Sequence, residues 1–328
     1  MIRFTLIGAG RIGRIHAENI ARHPQAQLAY VADAHAASAQ ELARQWSAQT
    51  IDLDAAVTAS DVDAVLVASS TDTHADWIER CAAAGKPVFC EKPLDLDMQR
   101  ATACLRTAER AGIPLYLGFN RRYDPSFMRL KREIVAGSIG QLETLHIISR
   151  DPAPPPVDYI KRSGGLFRDM MIHDLDMARW LLGSEPIEVF ARGTAVNTAI
   201  GAAGDVDTAM VMLRTADGKL CQIANSRRCA FGYDQRVEAF GSTGMARADN
   251  HTATSVTVAG TAGFTTEPAL PFFLERYADA YRLELDDFIA ALGKKPVELA
   301  SGEDGRRALM LADAAQRSLD SGAPVALA

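Results

Sequence analysis

The sequence predicts an α/β protein whose N-terminal, doubly wound parallel sheet is followed by a C-terminal α+β domain with a large, open, mainly antiparallel sheet. Up to about residue 119, short apolar runs alternate with helical patterns, which is typical of a parallel sheet covered by helices. Beyond that point, strand-like runs are separated by turn pairs such as Asp217-Gly218 and Gly241-Ser242, which favours antiparallel pairing. A length of 328 residues accommodates two domains, which we expect at residues 1–120 and 121–328.

The first part of the chain contains short apolar runs that are typical of buried strands. Helical patterns lie between them, and the order of the two kinds of element predicts a doubly wound sheet. The predicted strands are residues 2–7, 27–31, 64–67, 87–90 and 114–118. The predicted helices are one that follows the first strand to about residue 22, then residues 53–59, 75–84 and 98–111.

The second part begins with a helix predicted at residues 125–136. Strand-like runs then dominate, and two amphipathic helical patterns close the chain. We expect these last helices to pack back on the first domain. The predicted strands are residues 142–149, 187–191, 209–213, 220–225 and 236–240, and the last helices cover residues 277–292 and 303–319.

The composition is that of an average globular protein, with 48% hydrophobic and 23% charged residues. The formal net charge is −6, and Arg227–Arg228 and Lys294–Lys295 are pairs too short to form a basic patch. We therefore expect neither a nucleic acid nor an anionic membrane as partner. No apolar stretch approaches the length that spans a bilayer.

The cysteines and the N-terminus indicate a cytoplasmic protein. An apolar run follows Met1 directly, so we expect no secretory leader. The five cysteines form an odd set without C-x-x-C spacing, which predicts reduced, mostly buried thiols and no metal site. They are Cys81, Cys90, Cys104, Cys221 and Cys229.

A glycine-rich turn follows the first predicted strand and opens a helix. The turn reads Gly8-Ala9-Gly10-Arg11-Ile12-Gly13, and an acidic residue, Asp33, ends the second strand. In such G-x-G-x-x-G turns the first glycine makes the bend, the second admits a pyrophosphate, and the third lets helix and strand approach. The helix N-terminus then offers free N–H groups to the phosphates. The pattern predicts a Rossmann domain that binds a dinucleotide, and Asp33 favours NAD over NADP because its charge repels a 2′-phosphate.

The tripeptide Glu91-Lys92-Pro93 follows a predicted strand of the same sheet. Ligands of open α/β sheets bind beyond the carboxyl ends of the strands, which is where this tripeptide lies. A lysine there can stabilise an alcohol oxygen as its proton leaves. A solvated surface lysine is the alternative.

The stretch from Ser163 to Gly183 reads as a helix that opens after two glycines and ends at a third. Asp169, His173 and Asp176 recur at i, i+4 and i+7, so they share one face of that helix. A carboxylate one turn from an imidazole can orient the ring and fix its tautomer, as a general base requires. A solvated or capping face is the alternative interpretation.

Two adjacent arginines, Arg121 and Arg122, follow the last strand of the first domain. One arginine that points into a cleft can bind substrate hydroxyls through its planar fork, while its neighbour is structural or solvated. The sequence alone leaves open which arginine has which role.

Taken together, five segments resemble the glucose–fructose oxidoreductase / inositol dehydrogenase / MocA family. They read GAGRIGRIHAENI, CEKPLDLD, GFNRRYDP, SRDPAPPPVDYIKRSGGLFRDMMIHDLDM and GYDQRVEAFGSTG. The resemblance covers essentially the whole chain and is strongest to the bacterial inositol 2-dehydrogenases. The G-x-G-x-x-G and EKP segments identify only the broad family, whereas the loop from Ser149 to Gly165 and the GYDQR segment are narrower signals.

The resemblance implies roles for particular residues. Lys92 matches the family's active-site lysine, His173 its catalytic histidine and Asp169 the carboxylate paired with it. Substrate-binding positions of the inositol enzymes fall on Lys92, Arg122, Asp169, His173, Asp176 and Tyr233. Cofactor-binding positions fall on Gly8, Gly10, Arg11, Ile12, Gly13, Asp33, Ser69, Ser70, Thr73, His74, Glu91 and Lys92.

One departure concerns the loop after the strand at residues 64–67. The inositol enzymes usually read C-T-P-T-D-T-H there, whereas this chain reads ASSTDTH from Ala68 to His74. We expect the loss of the proline to loosen a cofactor-facing loop.

The resemblance implies NAD-dependent oxidation of a cyclic polyol, most specifically myo-inositol to 2-keto-myo-inositol. It also implies a homo-oligomer, a dimer or tetramer built through the C-terminal sheet. A dehydrogenase for scyllo-inositol, chiro-inositol or an aldohexose is the first alternative. A non-enzymatic, NAD-bound sensor is the second, and such a sensor has no chemical reason to keep Lys92, Asp169 and His173 together.

Overall fold

The computed structural model describes residues 1–327, and the chain divides into two compact units. The first unit contains residues 1–120 and 280–309, and the second contains residues 121–279 and the chain from 310 onward. The strands are β1 (Ile2–Ile7), β2 (Ala26–Ala32), β3 (Gln49–Thr50), β4 (Ala64–Val67), β5 (Val88–Glu91), β6 (Leu115–Gly118), β7 (Leu142–Arg150), β8 (Pro186–Thr194), β9 (Thr208–Thr215), β10 (Leu220–Ser226), β11 (Asp234–Gly241), β12 (Gly244–Ala248), β13 (Thr257–Gly260), β14 (Gly263–Thr266) and β15 (Val325–Ala326).

Helices of three kinds connect these strands. The 3₁₀ turns are Thr71–Thr73 and Asn120–Tyr123, and Phe167–Met171 is a π-helical turn. The α-helices are α1 (Arg11–Arg22), α2 (Ala36–Gln45), α3 (His74–Ala83), α4 (Met98–Ala111), α5 (Pro125–Val135), α6 (Val157–Ser163), α7 (Ile172–Leu182), α8 (Thr198–Ala202), α9 (Phe273–Arg276), α10 (Ala278–Leu292) and α11 (Gly302–Ser321).

The sheet of the first unit has the strand order β3-β2-β1-β4-β5-β6, and every neighbouring pair is parallel. The predicted doubly wound parallel sheet is confirmed. Strands β4 and β5 are buried along their whole length, as expected for a sheet covered on both faces. The strand order reverses between β1 and β4, and this is the point where ligands bind in such sheets.

Helix α10 completes the core of the first unit although it lies near the end of the chain. The ring of Phe288 packs against Phe4, Phe89 and Tyr116, with ring centroids 6.0, 5.5 and 5.8 Å away. Aromatic pairs at such distances contribute beyond the area that they bury. The first unit is therefore built from two separate stretches of the sequence.

One local prediction for the first unit is wrong, and two elements were missed. The predicted helix at residues 53–59 is a series of turns, in which Ala55 donates to the carbonyl of Asp52 and Thr58 to that of Ala55. β-branched Val57 and Thr58 disfavour a helix there. Helix α2 and the short strand β3 were not predicted at all, although α2 is rich in alanine and other helix-forming residues.

The sheet of the second unit has the strand order β12-β11-β7-β10-β9-β8-β15. All neighbours are antiparallel except β7 and β10, which run parallel, so the predicted open, mainly antiparallel sheet is confirmed. Buried and exposed residues alternate along β9, as in a strand with one buried face. Helix α7 packs along β7 and carries several of the candidate site residues.

The thiols are as the sequence predicts. The five cysteines are free and buried, and burial raises the pKa of the Cys81 and Cys104 thiols to about 12. The thiols of Cys81 and Cys104 are therefore inert as nucleophiles at neutral pH. Within residues 1–327, no helix combines the length and the apolar character needed to cross a bilayer.

Candidate active site

The glycine-rich turn after β1 has the geometry of a phosphate-binding turn. Gly8 adopts a φ of +105°, and a Cβ there would lie 2.4 Å from the carbonyl oxygen of Ala68. A Cβ on Gly13 would lie 1.9 Å from the carbonyl oxygen of Gly8. A Cβ on Gly10 would meet no atom of the described chain within 4 Å, so the fold leaves open the space in which a pyrophosphate approaches.

The N-terminus of α1 adds donors to this turn. Its N-cap residue is Gly10, which has no side chain to satisfy the first N–H groups of the helix. The backbone of Arg11, Ile12 and Gly13 therefore offers the donors and the partial positive charge that anions select. The residues present fit the dinucleotide that the sequence predicts.

The carboxylate of Asp33 is fixed at the end of β2 by two backbone donors. The N–H of Ala9 donates to Oδ2 at 2.6 Å, and the N–H of His35 donates to Oδ1 at 2.7 Å. Each carboxylate oxygen has a second lone pair that remains available for a hydroxyl. Asp33 is thus held next to the glycine-rich turn in an orientation that suits ribose binding.

The loop with the departing sequence is held by side-chain hydrogen bonds. The hydroxyls of Ser69 and Thr73 lie 2.7 Å apart, and Thr73 also donates to the carbonyl of Ser70 at 2.8 Å. The ring of His74 bridges the carbonyls of Ser69 and Pro93, at 3.1 and 2.7 Å. These contacts supply restraint where the resembled enzymes carry a proline, and the expected loosening of the loop stays a prediction.

His74 is buried, and this burial lowers the pKa of its imidazole. A neutral ring donates from only one of its nitrogens at a time. Its shorter contact joins Nδ1 to the Pro93 carbonyl, so the ring ties the loop at residues 68–74 to the EKP segment.

The side chain of Glu91 points into the first unit. Its Oε1 lies 2.7 Å from Nε2 of buried His16 on α1. A Cβ on Gly118 would lie 2.8 Å from its Oε2, so the carboxylate also requires glycine at the end of β6. With the side chain engaged in this way, a cofactor contact of Glu91 would come from its backbone.

Lys92 follows directly after β5 and is partly buried. Because β1, β2 and β5 are parallel members of one sheet, Gly8, Asp33 and Lys92 all lie at its carboxyl edge. The structure thus brings the predicted residues of the first unit to the edge where such sheets bind ligands. The Lys92–Pro93 peptide bond is cis.

Both arginines of the 3₁₀ turn at Asn120–Tyr123 are buried and face carboxylates on α7. Arg122 forms a bidentate pair with Asp176, with Nε 2.7 Å from Oδ2 and Nη2 2.5 Å from Oδ1. Arg121 pairs with Asp174. Burial raises the pKa of the Asp174 carboxyl, while the charge of Arg121 lowers it. Because both arginines are buried and ion-paired, ion pairing does not distinguish a substrate-binding arginine from a structural one.

Tyr233 is buried beside Arg121, with its hydroxyl 3.4 Å from Nη2 of that arginine. Its ring packs edge-on against Phe272 and Tyr277, each at 5.9 Å. Burial raises the pKa of the Tyr233 phenol well above its usual value. At neutral pH it is therefore an uncharged hydrogen-bonding group.

We had predicted one regular α-helix for the stretch with Asp169 and His173, and this prediction is wrong. Residues Phe167–Met171 form a π-helical turn with Asp169 at its centre, and α7 begins at Ile172. The extra residue in a π turn changes where side chains point, and such turns occur often at functional sites. The end of α7 is as predicted, because Gly183 adopts a φ of +66° there.

Asp169 accepts hydrogen bonds from two residues that we did not predict. The Tyr159 hydroxyl donates to Oδ1 at 2.9 Å, and Nη1 of Arg227 donates to Oδ2 at 3.1 Å. Arg227 had been considered only as part of a short basic pair. The loop that contains Tyr159 and the GYDQR segment near Arg227 stand out in the sequence. Neither segment, however, indicates that Tyr159 or Arg227 contacts Asp169.

Asp151 is a second carboxylate that we did not single out. Burial raises the pKa of its carboxyl from 3.8 to about 6, although the charges of Arg227 and Arg121 act in the opposite direction. A partly buried carboxyl with a perturbed pKa beside other charged groups is a candidate functional residue. Within residues 1–327, no cluster of His, Cys, Asp or Glu forms a metal site.

Two family models match the chain. The oxidoreductase family with an NAD-binding Rossmann fold matches residues 2–119, and the GFO/IDH/MocA C-terminal domain matches residues 127–247. The inositol 2-dehydrogenase of Rhizobium meliloti is 50% identical over 319 residues, which cover 97% of each chain. The myo-inositol 2-dehydrogenase of Thermotoga maritima is 46% identical and covers 97% of this chain and 96% of its own.

Solved structures agree with these matches. The myo-inositol dehydrogenase of Corynebacterium glutamicum superposes with a TM-score of 0.96 at 44% identity, over 100% of this chain and 99% of its own. The scyllo-inositol dehydrogenase of Lactobacillus casei, solved with NAD(H) and scyllo-inositol, has a TM-score of 0.92 at 31% identity and covers 99% of each chain.

Proposed function

The chain belongs to the GFO/IDH/MocA family of NAD-dependent oxidoreductases, and from that membership we propose that it oxidises myo-inositol to 2-keto-myo-inositol. The observation that carries this proposal is the full-length similarity to inositol 2-dehydrogenases from two distant bacteria. The presence of a lysine, a carboxylate and an imidazole at the positions that the resemblance assigns to catalysis adds support.

In this proposal, residues 1–120 bind NAD and residues 121–328 bind the polyol. The backbone of the turn at residues 8–13 holds the pyrophosphate and Asp33 holds the adenosine ribose. Further cofactor contacts come from Ser69, Ser70, Thr73, His74, Glu91 and Lys92. NAD, when bound, supplies the nicotinamide that accepts the hydride from the carbinol carbon.

The side chains of the protein handle the proton and the orientation of the ring. We assign to His173 the removal of the hydroxyl proton, directly or through Lys92, and to Asp169 the orientation of the imidazole. The ammonium of Lys92 stabilises the developing charge on the alcohol oxygen.

Arg122, Asp176 and Tyr233 are proposed to bind other hydroxyls of the substrate. The bidentate pair of Arg122 and Asp176 offers donors and acceptors in a fixed arrangement, which is how hydroxyls of one stereochemistry are selected. The uncharged phenol of Tyr233 can both donate and accept.

The first alternative is a different cyclic polyol or sugar. The similarity to the scyllo-inositol dehydrogenase of Lactobacillus casei favours scyllo-inositol within this group. An aldohexose and chiro-inositol are the other alternative substrates. An NAD-bound sensor without activity is the second alternative.

The test is the formation of NADH by the purified protein with NAD or NADP and a panel of inositol isomers and hexoses. We expect the highest kcat/KM with NAD and myo-inositol. A higher kcat/KM with another isomer would replace the substrate and keep the reaction type. No turnover of any compound, with NAD binding measured separately, would favour the sensor.

We further propose that the protein is a cytoplasmic homotetramer in which copies meet through the outer face of the second sheet. Exposed apolar side chains cluster there: Met210 and Met212 on β9 are 57% and 49% exposed. Phe240 on β11 and Met245 on β12, which pair across their strands, are 48% and 47% exposed. Apolar area of this kind marks an interface.

Analytical ultracentrifugation tests the assembly. We expect a tetramer for the wild type and smaller species for the variant with Met210→Glu and Met212→Glu, because both charges would be buried at the contact. A monomeric wild type would contradict the proposal. Cell fractionation tests the location.

A further inference from the structure

Two side chains from different parts of the second unit donate hydrogen bonds to the carboxylate of Asp169, one to each oxygen. Tyr159 lies on α6 and donates to Oδ1, whereas Arg227 follows β10 and donates to Oδ2. Rotation of a carboxylate about its last torsion is otherwise loosely restricted. With one donor on each oxygen, the plane of this carboxylate is fixed.

Arg227 is among the most deeply buried side chains, with 2% of its surface exposed. It cannot lose its charge, so it requires carboxylates in its surroundings. Asp169 is the carboxylate that Arg227 hydrogen-bonds, and Oδ2 of Asp205 lies 3.9 Å from Nη2 of Arg227. The charge of Arg227 also lowers the pKa of the nearby Asp151 carboxyl against the effect of burial.

Asp205 connects this charge cluster to the start of the π-helical turn. Its Oδ1 accepts a hydrogen bond from the backbone N–H of Leu166 at 3.1 Å. A Cβ on Gly165 would lie 2.9 Å from the same oxygen, so the glycine is required for this contact. Arg227 therefore lies between the carboxylate on the π turn and the carboxylate that anchors the entry of that turn.

We propose that Arg227 and Tyr159 are positioning residues that act through Asp169: they set the orientation in which its carboxylate supports the proton transfer. This inference rests on the proposed function, in which Asp169 orients His173. A catalytic carboxylate must be held to a fraction of an ångström, and small displacements are costly in rate. Backbone geometry alone does not provide that precision on a short, irregular turn.

The experiment measures kcat, KM for polyol and NAD, and the solvent deuterium isotope effect on kcat. Arg227→Lys keeps the charge and removes the planar fork, and we expect it to lower kcat by about 10- to 100-fold. Tyr159→Phe removes one hydroxyl from a side chain that is 46% exposed, and we expect a loss of about fivefold in kcat. In both variants KM for NAD stays unchanged and the isotope effect rises, because proton transfer becomes slower.

The matched control is Arg228→Met, the exposed neighbour of Arg227, which should retain wild-type kcat and isotope effect. Thermal unfolding of each variant separates loss of fold from loss of positioning. Tyr159→Phe keeps the inference testable even if Arg227→Lys does not fold, because it disturbs no buried charge.

Asp169→Asn distinguishes a failure of the proposed function from a failure of the positioning role of Arg227 and Tyr159. Wild-type turnover by this variant would contradict the role of Asp169 and thus the proposed function. A large loss in Asp169→Asn with wild-type kcat in both Arg227→Lys and Tyr159→Phe would overturn only the present inference. In the Asp169→Asn background, Arg227→Lys should cause little further loss, and fully additive losses would also overturn it.

Discussion

The two units hold their candidate functional groups in different ways. In the first unit, backbone groups do most of the holding. The carboxylate of Asp33 is fixed by the N–H groups of Ala9 and His35, and the phosphate-binding turn is shaped by glycines. In the second unit, side chains hold one another, as in the pair of Arg122 with Asp176.

This difference decides how each region responds to mutation. The turn of the first unit depends mainly on backbone groups, among them the carbonyl of Ala68, and backbone groups remain in place when one side chain is lost. The pairs of the second unit join residues 53, 54 and 58 positions apart, and each member is the counter-ion of another buried group. Loss of one member leaves a buried charge, which is the costlier event.

The largest effect is expected from removing a group that only the second unit supplies. His173→Ala should lower kcat by about 100- to 10,000-fold, since it removes the proposed general base. Calorimetric titration with NAD should give a nearly unchanged Kd, because the cofactor is assigned to the first unit. An equal loss of NAD affinity would contradict this separation of roles.

Breaking a buried pair should affect stability next most strongly. Arg122→Met leaves Asp176 buried, and we expect the free energy of unfolding to fall by about 3 kcal/mol, the lower end for such pairs because Arg179 lies 3.8 Å away. Urea unfolding measures this loss. Arg129→Met, which breaks the exposed pair with Glu133, is the control and should cost under about 0.5 kcal/mol.

The raised pKa of Asp151 predicts a pH dependence located in the second unit. The folded state binds this proton more tightly than the unfolded state, so the contribution of Asp151 to stability is fully present below pH 3.8 and is lost as the pH rises to about 6. This interval corresponds to about 3 kcal/mol. Asp151→Asn should raise the free energy of unfolding at pH 8 and flatten its slope between these pH values. A slope that persists in Asp151→Asn would assign it to other groups.

The smallest effects are expected in the first unit, from substitutions at Gly10 and Gly13. Gly10→Ala meets open space, so we expect unchanged thermal stability but a Kd for NAD raised about tenfold, because the methyl group occupies the pyrophosphate approach. Gly13→Ala meets the Gly8 carbonyl and should lower stability by about 1–3 kcal/mol. Equal behaviour of the two variants in both measurements would contradict the separate roles of these glycines.

The sequence predicted best what local residues determine. Strands β1 and β4 have their predicted bounds, and the glycine-rich turn has the predicted geometry, since the spacing of its three glycines is a local feature of the sequence. The turns at residues 53–59 and helix α2 differ from the prediction, because helical patterns in short segments are weak signals.

The π-helical turn and the partners of Asp169 could not be predicted in this way. A π turn differs from an α turn by one residue, and no local propensity marks it. In sequence Arg227 is only one half of a short basic pair, and its role depends on which carboxylates tertiary packing brings to it. The family resemblance identified Asp169 and His173 as site residues, but only the structure identified the side chains that hold Asp169.

The place of Phe288 in the core has a consequence for the order of events during synthesis. The ribosome delivers β1, β5 and β6 early, but their packing partner emerges only after strands β7 to β12 of the second sheet have been translated. The aromatic surface formed by Phe4, Phe89 and Tyr116 must therefore stay shielded from other chains until the C-terminal helices arrive. Such an interval is when nascent chains depend on chaperones.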